Sequence, residues 1–470
     1  MQLPGLTIGV VADDLTGACD TALQFFHGGC ATRVLLTLSP DAALQPAKEA
    51  LAITTESRHL DPHQAVAAVR QATALLRDAY GVEHFYKKID STLRGHFTAE
   101  CLAMLDELKW DCALIAPAYP QEGRRTVGGY QLVKGIPVEK TEVGRDPLFP
   151  VGISHIPTLI GQRSRPDLVG HIELGTVLRG AGPTLAKLTE LAEAGKRLIV
   201  ADACSRTDLD QIALALEKIQ PVAKVLPCGS AGFAESLCRH WAAHGKPSAR
   251  PLTLPPSPVL VVAGAATALT RRQILQLMDH YPYYGEGASP AVFEPTAEQL
   301  LGLAPTDTPC AGENDSLLAR MLEALADNKT VVLTSALGVD QVDRTQTLAL
   351  GSGISEQDVP KRVQETLTQL TARVLSQSRQ THADSHPLKL ALTGGETATQ
   401  ICRAIGCEAL DMVGEIESAI PLLTTVSDPR RPDVPMRWIV TKSGNFGSDL
   451  TLAHIVRFLK RNELSAENLG

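Results

Sequence analysis

Four short stretches in the first half of the chain concentrate residue types that hold small polar molecules. Asp13-Asp14-Leu15-Thr16-Gly17 places two carboxylates and a hydroxyl directly after an apolar run, and Thr54-Thr55-Glu56-Ser57-Arg58 follows another. Lys87-Lys88-Ile89-Asp90-Ser91-Thr92-Leu93-Arg94-Gly95 and the stretch from Pro117 to Arg124 follow two more. An arginine pairs bidentately with a carboxylate, while Asp, Ser and Thr bond to hydroxyls. Together the four suit a small polyhydroxylated anion. Taken singly, Asp14 and Ser91 could merely cap helices and the basic residues could lie solvated. Four such stretches at four strand ends favour binding.

The second half carries a different chemistry. Leu390 to Thr399 runs from an apolar strand through Gly394-Gly395-Glu396-Thr397 into a helix, and glycines there let the backbone approach a phosphate. Gly264-Ala265-Ala266-Thr267 and Lys442-Ser443-Gly444-Asn445-Phe446-Gly447 repeat the arrangement after two further apolar runs. None is a Walker A loop or a G-x-G-x-x-G fingerprint. Three glycine-containing strand ends in one sheet favour a nucleotide site.

Elements of alternating type must position these stretches. Leu6 to Ala12, Arg33 to Leu38, Leu51 to Thr54, His84 to Ile89 and Cys112 to Ala116 read as strands. Thr16 to Phe26, Pro62 to Ala79 and Phe97 to Leu108 carry apolar residues at helical spacing. Further on, Val259 to Ala263, Thr330 to Thr334, Leu388 to Thr393 and Trp438 to Thr441 read as strands, separated by helices such as Lys361 to Val374. The polar stretch Gln377 to Pro387 reads as a surface loop. Alternation of this kind predicts an α/β protein of two domains, each with a mostly parallel sheet flanked by helices. Five prolines between Gly245 and Pro258 exclude regular structure there. The expected division is residues 1–245, a linker over 246–258 and residues 259–470.

Composition narrows the partners. The 470 residues are 44% hydrophobic and 20% charged, with a mean hydropathy near zero, which fits an ordinary globular protein. Lys plus Arg number 44 against 52 Asp plus Glu, a net charge of −8, with no basic stripe, so no nucleic-acid partner is expected. No apolar run is long enough to span a bilayer and no signal peptide is read, so no membrane partner is expected. Ten scattered cysteines without a C-x-x-C pair read as small buried hydrophobes in a reducing compartment. A cytoplasmic location is expected, and homo-oligomerisation is left open.

The chain resembles the four-carbon acid sugar kinases. The matching elements are Ala12 to Gly17, Thr55 to Arg58, Lys88 to Gly95, Gly123 to Thr126, Arg145-Asp146-Pro147, Gly229 to Gly232, Thr393 to Thr397 and Lys442 to Gly447, in family order over nearly the whole chain. The resemblance implies a sugar-acid domain followed by an ATP domain, with ATP and Mg²⁺ used to phosphorylate the C4 hydroxyl of a tetronate. It implies substrate contacts at Asp14, Arg58, Lys88, Asp90, Ser91, Thr92 and Arg94, with Asp90, ahead of Asp14, accepting the hydroxyl proton. It implies ATP contacts at Ala265, Thr267, Gly394, Gly395, Glu396, Thr397 and Gly444, and domain closure about the linker. No metal ligand is assigned. Where relatives often carry serines after the first strand of the second domain, this chain has Gly264-Ala265-Ala266-Thr267, so a hydroxyl contact there falls to Thr267. The run from Lys87 to Gly95 is similar to that of the D-threonate and D-erythronate kinases more than to the Cys-Ser-Thr-Phe-Asp-Ser-Thr run of 3-oxo-tetronate kinases. D-threonate is the expected substrate, with D-erythronate and 3-oxo-tetronate as alternatives. Two other classes compete: a phosphatase using Asp13 or Asp14, and a sugar-acid-binding regulator without chemistry. Haloacid-dehalogenase-type phosphatases separate their two aspartates by one residue, whereas these are adjacent.

Overall fold

Apolar runs buried along their whole length, such as Ile8–Ala12 and Cys112–Ala116, are what a sheet covered on both faces requires. A computed structural model describes residues 7–38, 49–146, 149–241, 254–264, 267–280, 289–307, 316–335, 337–381, 387–426 and 435–461. The chain divides into two units, Met1–Ser248 and Ala249–Gly470. The expected linker falls largely on residues 242–253, outside the described residues.

In unit 1 the strands are β1 (Ile8–Ala12), β2 (Thr32–Leu35), β3 (Ala50–Thr54), β4 (His84–Lys88), β5 (Cys112–Ala116), β6 (Arg124–Val127), β7 (Tyr130–Val133), β8 (Ile136–Pro137), β9 (Val169–Ile172), β10 (Leu198–Ala201) and β11 (Val225–Gly229). The helices are α1 (Leu15–His27), α2 (Pro62–Tyr80), α3 (Phe97–Leu108), α4 (Ile156–Arg163), α5 (Leu174–Val177), α6 (Ala181–Glu193), α7 (Arg206–Ile219) and α8 (Ala231–Trp241). Strands pair in parallel in the order β2-β3-β1-β4-β11-β5-β10-β9. From β1 the chain first builds to one side through β2 and β3, then crosses to β4 on the other. Such a reversal opens a crevice beyond the carboxyl ends of β1 and β4, where open α/β sheets take ligands. Local signals set the helix ends: Asp61 caps α2 ahead of Pro62, and Gly81 at φ +64° closes it.

A second, antiparallel sheet of β6, β7 and β8 stands apart from the expected pattern. Its first hairpin turns on Gly128 and Gly129, both with positive φ, and their N–H groups donate to buried Asp202.

Unit 2 contains β12 (Val259–Ala263), β13 (Ala291–Phe293), β14 (Val331–Thr334), β15 (Lys389–Thr393), β16 (Ala409–Glu417), β17 (Ile420–Thr425) and β18 (Trp438–Lys442). Its helices are α9 (Ala268–His280), α10 (Ala297–Leu300), α11 (Leu317–Ala326), α12 (Val339–Gly351), α13 (Asp358–Thr381), α14 (Gly395–Ala404) and α15 (Thr451–Arg461). The order is β13-β14-β12-β15-β18-β17-β16, parallel as far as β18 and antiparallel beyond it. The reversal here falls between β12 and β15. Val259, Val261, Ile274, Leu277, Leu452 and Val456 form part of its core. The loop expected over Gln377 to Pro387 is corrected in part: α13 continues to Thr381, carried by Leu367, Leu370, Val374 and Leu375 on its buried face. Residues 382–386 lie outside the described residues.

Candidate functional site

The crevice of unit 1 is filled with charge. Arg58, just past β3, reaches across the end of β1. Its Nε and Nη2 donate to Asp13 Oδ2 and Oδ1 at 2.8 and 3.0 Å, and its Nη1 donates to Asp14 Oδ2 at 2.8 Å. Asp14 also caps α1, accepting from Gly17 N at 2.9 Å and from Thr16 Oγ1 at 2.7 Å. Burial alone would raise the Asp14 pKa, but the cations of Arg58 and Lys88 and the Thr16 hydroxyl outweigh it and hold the carboxyl below its ordinary value. For Asp13 burial prevails over Arg58, and its pKa is raised.

Asp90 follows β4 by two residues. Its Oδ2 accepts from Arg94 Nε at 2.7 Å and from the Thr92 hydroxyl, and Arg94 Nη1 passes on to Asp146 Oδ2 at 3.2 Å. Burial opposes ionisation, yet Arg94, Arg58 and these hydrogen bonds keep Asp90 far below the usual carboxylate range. Among the described residues no donor reaches Asp90 Oδ1. Lys88, only 5% exposed, has no carboxylate within ion-pairing distance among the described residues. A Cβ on Gly17 would lie 2.8 Å from Lys88 Nζ and 2.6 Å from Asp14 Oδ1, so only glycine fits between them. Gly95, at φ +89°, likewise leaves room for Asp13 Oδ2.

The structure therefore brings Asp14, Arg58, Lys88, Asp90, Ser91, Thr92 and Arg94 to one edge, together with Asp13. Two residues to which sequence reasoning gave no site role complete it, Asp146 within a quoted motif and Gln131 outside every one. Asp146 anchors Arg94, and fully buried Gln131 on β7 donates to the Ser91 carbonyl at 2.6 Å. The loops are held under strain: Glu56 and Leu93 adopt φ of +49° and +69°. Gly229 to Gly232 packs the sheet instead. A Cβ on Gly229 would sit 2.3 Å from Ala116 O, and Ser230 Oγ donates to Ala118 O.

At the crevice of unit 2, Gly394 takes φ +102° and opens α14, so that Gly395, Glu396 and Thr397 form its first turn. A Cβ on Gly264, at the end of β12, would lie 2.1 Å from Thr397 Oγ1. The hydroxyls of Thr393, Thr397 and Thr441 are buried there with no partner among the described residues. Thr267 and Thr270 both donate to Gly444 O, at 3.0 and 3.1 Å, fixing the loop after β18. Lys442 Nζ donates to Ser443 O at 2.8 Å, and burial, only partly countered by Glu417, lowers its pKa to about 7. Burial raises the pKa of Glu396. Ala265 lies outside the described residues. A glycine cradle, a helix N-terminus and orphaned hydroxyls fit the oxygens of a polyphosphate. Among the described residues no three His, Cys, Asp or Glu side chains group as a metal site, and no helix is long and apolar enough to cross a membrane.

Two crevices, one saturated with charge and one built for phosphate, define a two-domain phosphotransferase. Residues 8–237 match the model of a sugar-binding N-terminal domain, and residues 260–452 that of a nucleotide-binding C-terminal domain. The chain is 32% identical over 418 residues to a D-erythronate kinase of Heliobacterium modesticaldum, covering 87% of each. It is 31% identical over 453 residues to a D-threonate kinase of Salmonella typhimurium, covering 96% of this chain and 98% of that one. A crystal structure of a Haemophilus influenzae protein shares the fold, with a TM-score of 0.69 at 20% identity over 96% of this chain and 100% of that one. The chain belongs to the four-carbon acid sugar kinase family, a family of ATP-dependent phosphotransferases.

Proposed function

We propose that the protein transfers the γ-phosphoryl group of ATP to the C4 hydroxyl of D-threonate, giving 4-phospho-D-threonate and ADP. One observation carries the choice of a small acid: Lys88 is a buried cation with no carboxylate within ion-pairing distance among the described residues, and Asp90 two residues on has an oxygen that no described donor reaches. All three nitrogens of Arg58 are engaged by Asp13 and Asp14, so Lys88 takes the substrate carboxylate while Arg58 orients the two aspartates. The hydroxyls of Ser91 and Thr92 and the carboxylate of Asp14 face the acid's own hydroxyls. Asp90 Oδ1 accepts the hydrogen bond of the C4 hydroxyl and takes its proton as the O4–Pγ bond forms and the bond from Pγ to the β-phosphate oxygen breaks. So weak a base acts late, which suits a loose transition state governed by positioning.

In unit 2, Gly394 to Thr397, the adjoining Gly264, Thr267 and Gly444 hold the nucleotide. Mg²⁺ would be carried by the phosphate oxygens, with Glu396 and the orphaned threonine hydroxyls as the protein groups suited to it, and would neutralise charge on the phosphates. A requirement for ATP supports a cytoplasmic location.

A second reading, D-erythronate as acceptor, is supported by the D-erythronate kinase relative at 32% identity; a 3-oxo-tetronate kinase of Methylobacterium radiotolerans is 27% identical. Coupled ADP release with Mg-ATP, measured against D-threonate, D-erythronate, L-threonate and 3-oxo-tetronate, decides. Dominant turnover of D-threonate is expected; dominance of another acid replaces it as the substrate, and no ADP with any acid overturns the reading.

A further inference from the structure

Beneath the charged crevice of unit 1 lies a second set of ionic groups that makes no direct contribution to it. Lys87 on β4 and Glu100 on α3 are both excluded from solvent, with Lys87 Nζ 2.8 Å from Glu100 Oε2. Lys87 also donates to Lys88 O at 3.0 Å and to Val11 O at 3.4 Å. The other oxygen of Glu100 accepts from Ser57 Oγ at 2.6 Å. Ser57 touches Thr55 Oγ1 at 2.8 Å, and Thr55 donates to Ala12 O at 2.9 Å. The chain of contacts thus ties helix α3 to the tips of β1, β3 and β4. Each tip carries a residue of the crevice at or just past its end: Asp13 and Asp14 after β1, Arg58 four residues past β3, and Lys88 at the end of β4.

Burying such a pair is a poor route to stability, since two apolar side chains of similar volume would serve as well or better. Its arrangement instead settles which cation belongs to which carboxylate. Lys87 lies close enough to Asp13 to pull its pKa down, and Asp13 to raise that of Lys87. With the Glu100 carboxylate 2.8 Å away, Lys87 has its own partner, and both oxygens of Asp13 remain with Arg58. Without that charge, Asp13 is the carboxylate left acting on Lys87, and the bidentate grip of Arg58 is contested.

We infer that Glu100, acting through Ser57 and Lys87, is a positioning residue for the acid-binding crevice, fixing the pairing of Arg58 with Asp13 and thereby the aim of Lys88 and Asp14. The inference rests on the reading of that crevice as the acid site.

Kinetics with the acid that wild-type enzyme phosphorylates best test it. Glu100→Gln keeps the size and the hydrogen bond to Ser57 but removes the charge. It is expected to raise KM for the acid about tenfold, the size of one weakened charge-assisted contact, with KM for ATP within twofold. Ser57→Ala, which removes only the hydroxyl link, is expected to raise KM for the acid about threefold with an unchanged melting temperature. Lys87→Met combined with Glu100→Gln removes both charges and is expected to recover most of the lost acid affinity. Values of KM for the acid within twofold of wild type in both single variants overturn the inference, as does an equal rise in both KM values. If Glu100→Gln does not fold, Ser57→Ala decides alone. If wild type phosphorylates none of the four acids, the acceptor reading has failed and a crystal structure of Ser57→Ala decides the inference. Arg58 displaced from one Asp13 oxygen supports it, and an unchanged pairing overturns it.

Discussion

The crevices of the two units sit at equivalent points of two similar sheets and are built in opposite ways. In unit 1 the polar groups have found one another: Arg58 with Asp13 and Asp14, Arg94 with Asp90 and Asp146, leaving Lys88 and one oxygen of Asp90 over. In unit 2 the hydroxyls of Thr393, Thr397 and Thr441 have no partner among the described residues, and the loops are fixed by glycines and carbonyls. A small acid offers few contacts, so its site must be rigid beforehand for those few to discriminate. A triphosphate brings many strong acceptors and can complete the hydrogen bonding itself. On the proposed assignment, the two halves of one reaction are thus prepared differently: one by internal ion pairs, the other by donors held open.

The contrast breaks most sharply at Asp90. Asp90→Asn should lower kcat about a thousandfold with KM for the acid changed only a few-fold, the range for loss of a proton acceptor, as steady-state kinetics will read. Turnover near wild type would remove Asp90 as the acceptor. Because its neighbours hold Asp90 ionised far below neutrality, kcat should show no acid limb from this group between about pH 5 and 8. Lys88→Met comes next, raising KM for the acid about a hundredfold through a lost charge-assisted contact while leaving KM for ATP in place. Gly264→Ala should do the reverse. Its Cβ would press on Thr397 Oγ1, and KM for ATP should rise about tenfold with acid affinity kept. The smallest effect belongs to Lys442. Its folded pKa is depressed, so between about 7 and the ordinary lysine value the unfolded chain binds more protons and stability rises with pH. Lys442→Met lacks that gain. Its melting temperature relative to wild type should be highest near pH 6 and fall by a few degrees by pH 9.

Much of this was legible because the candidate residues follow apolar strands immediately, where the chain has no other reason to be polar. Asp14, Arg58, Lys88 and Asp90 were reached that way, and so were Gly394 to Thr397. Other parts were hidden for distinct physical reasons. Glu100 stands in the first turn of α3, where a carboxylate ordinarily faces water and favours the helix dipole; only the fold shows it buried against Lys87. Gln131 acts on the site from 40 residues away from its partner, a distance that no local pattern encodes; Asp146, 52 residues from Arg94, stood in a quoted motif, but nothing local tied it to Arg94. The β6–β7 hairpin did have a signal, Gly128-Gly129 between two strand-like runs, and it was passed over. The end of α13 read as a loop because its last turns are rich in Ser and Gln, while the apolar face that carries it lies further back.

Lys88 has a practical consequence. On the proposed assignment, a buried ammonium that no described carboxylate pairs with does not distinguish the reaction's own acid from other small anions that fit the crevice. Sulfate, phosphate or malonate in a buffer will compete with the substrate, raising its apparent KM in proportion to their concentration. The same salts will raise the melting temperature of the unliganded protein by mass action. The KM for the acid measured in chloride and in malonate should therefore disagree, and the Lys88→Met variant should abolish the disagreement.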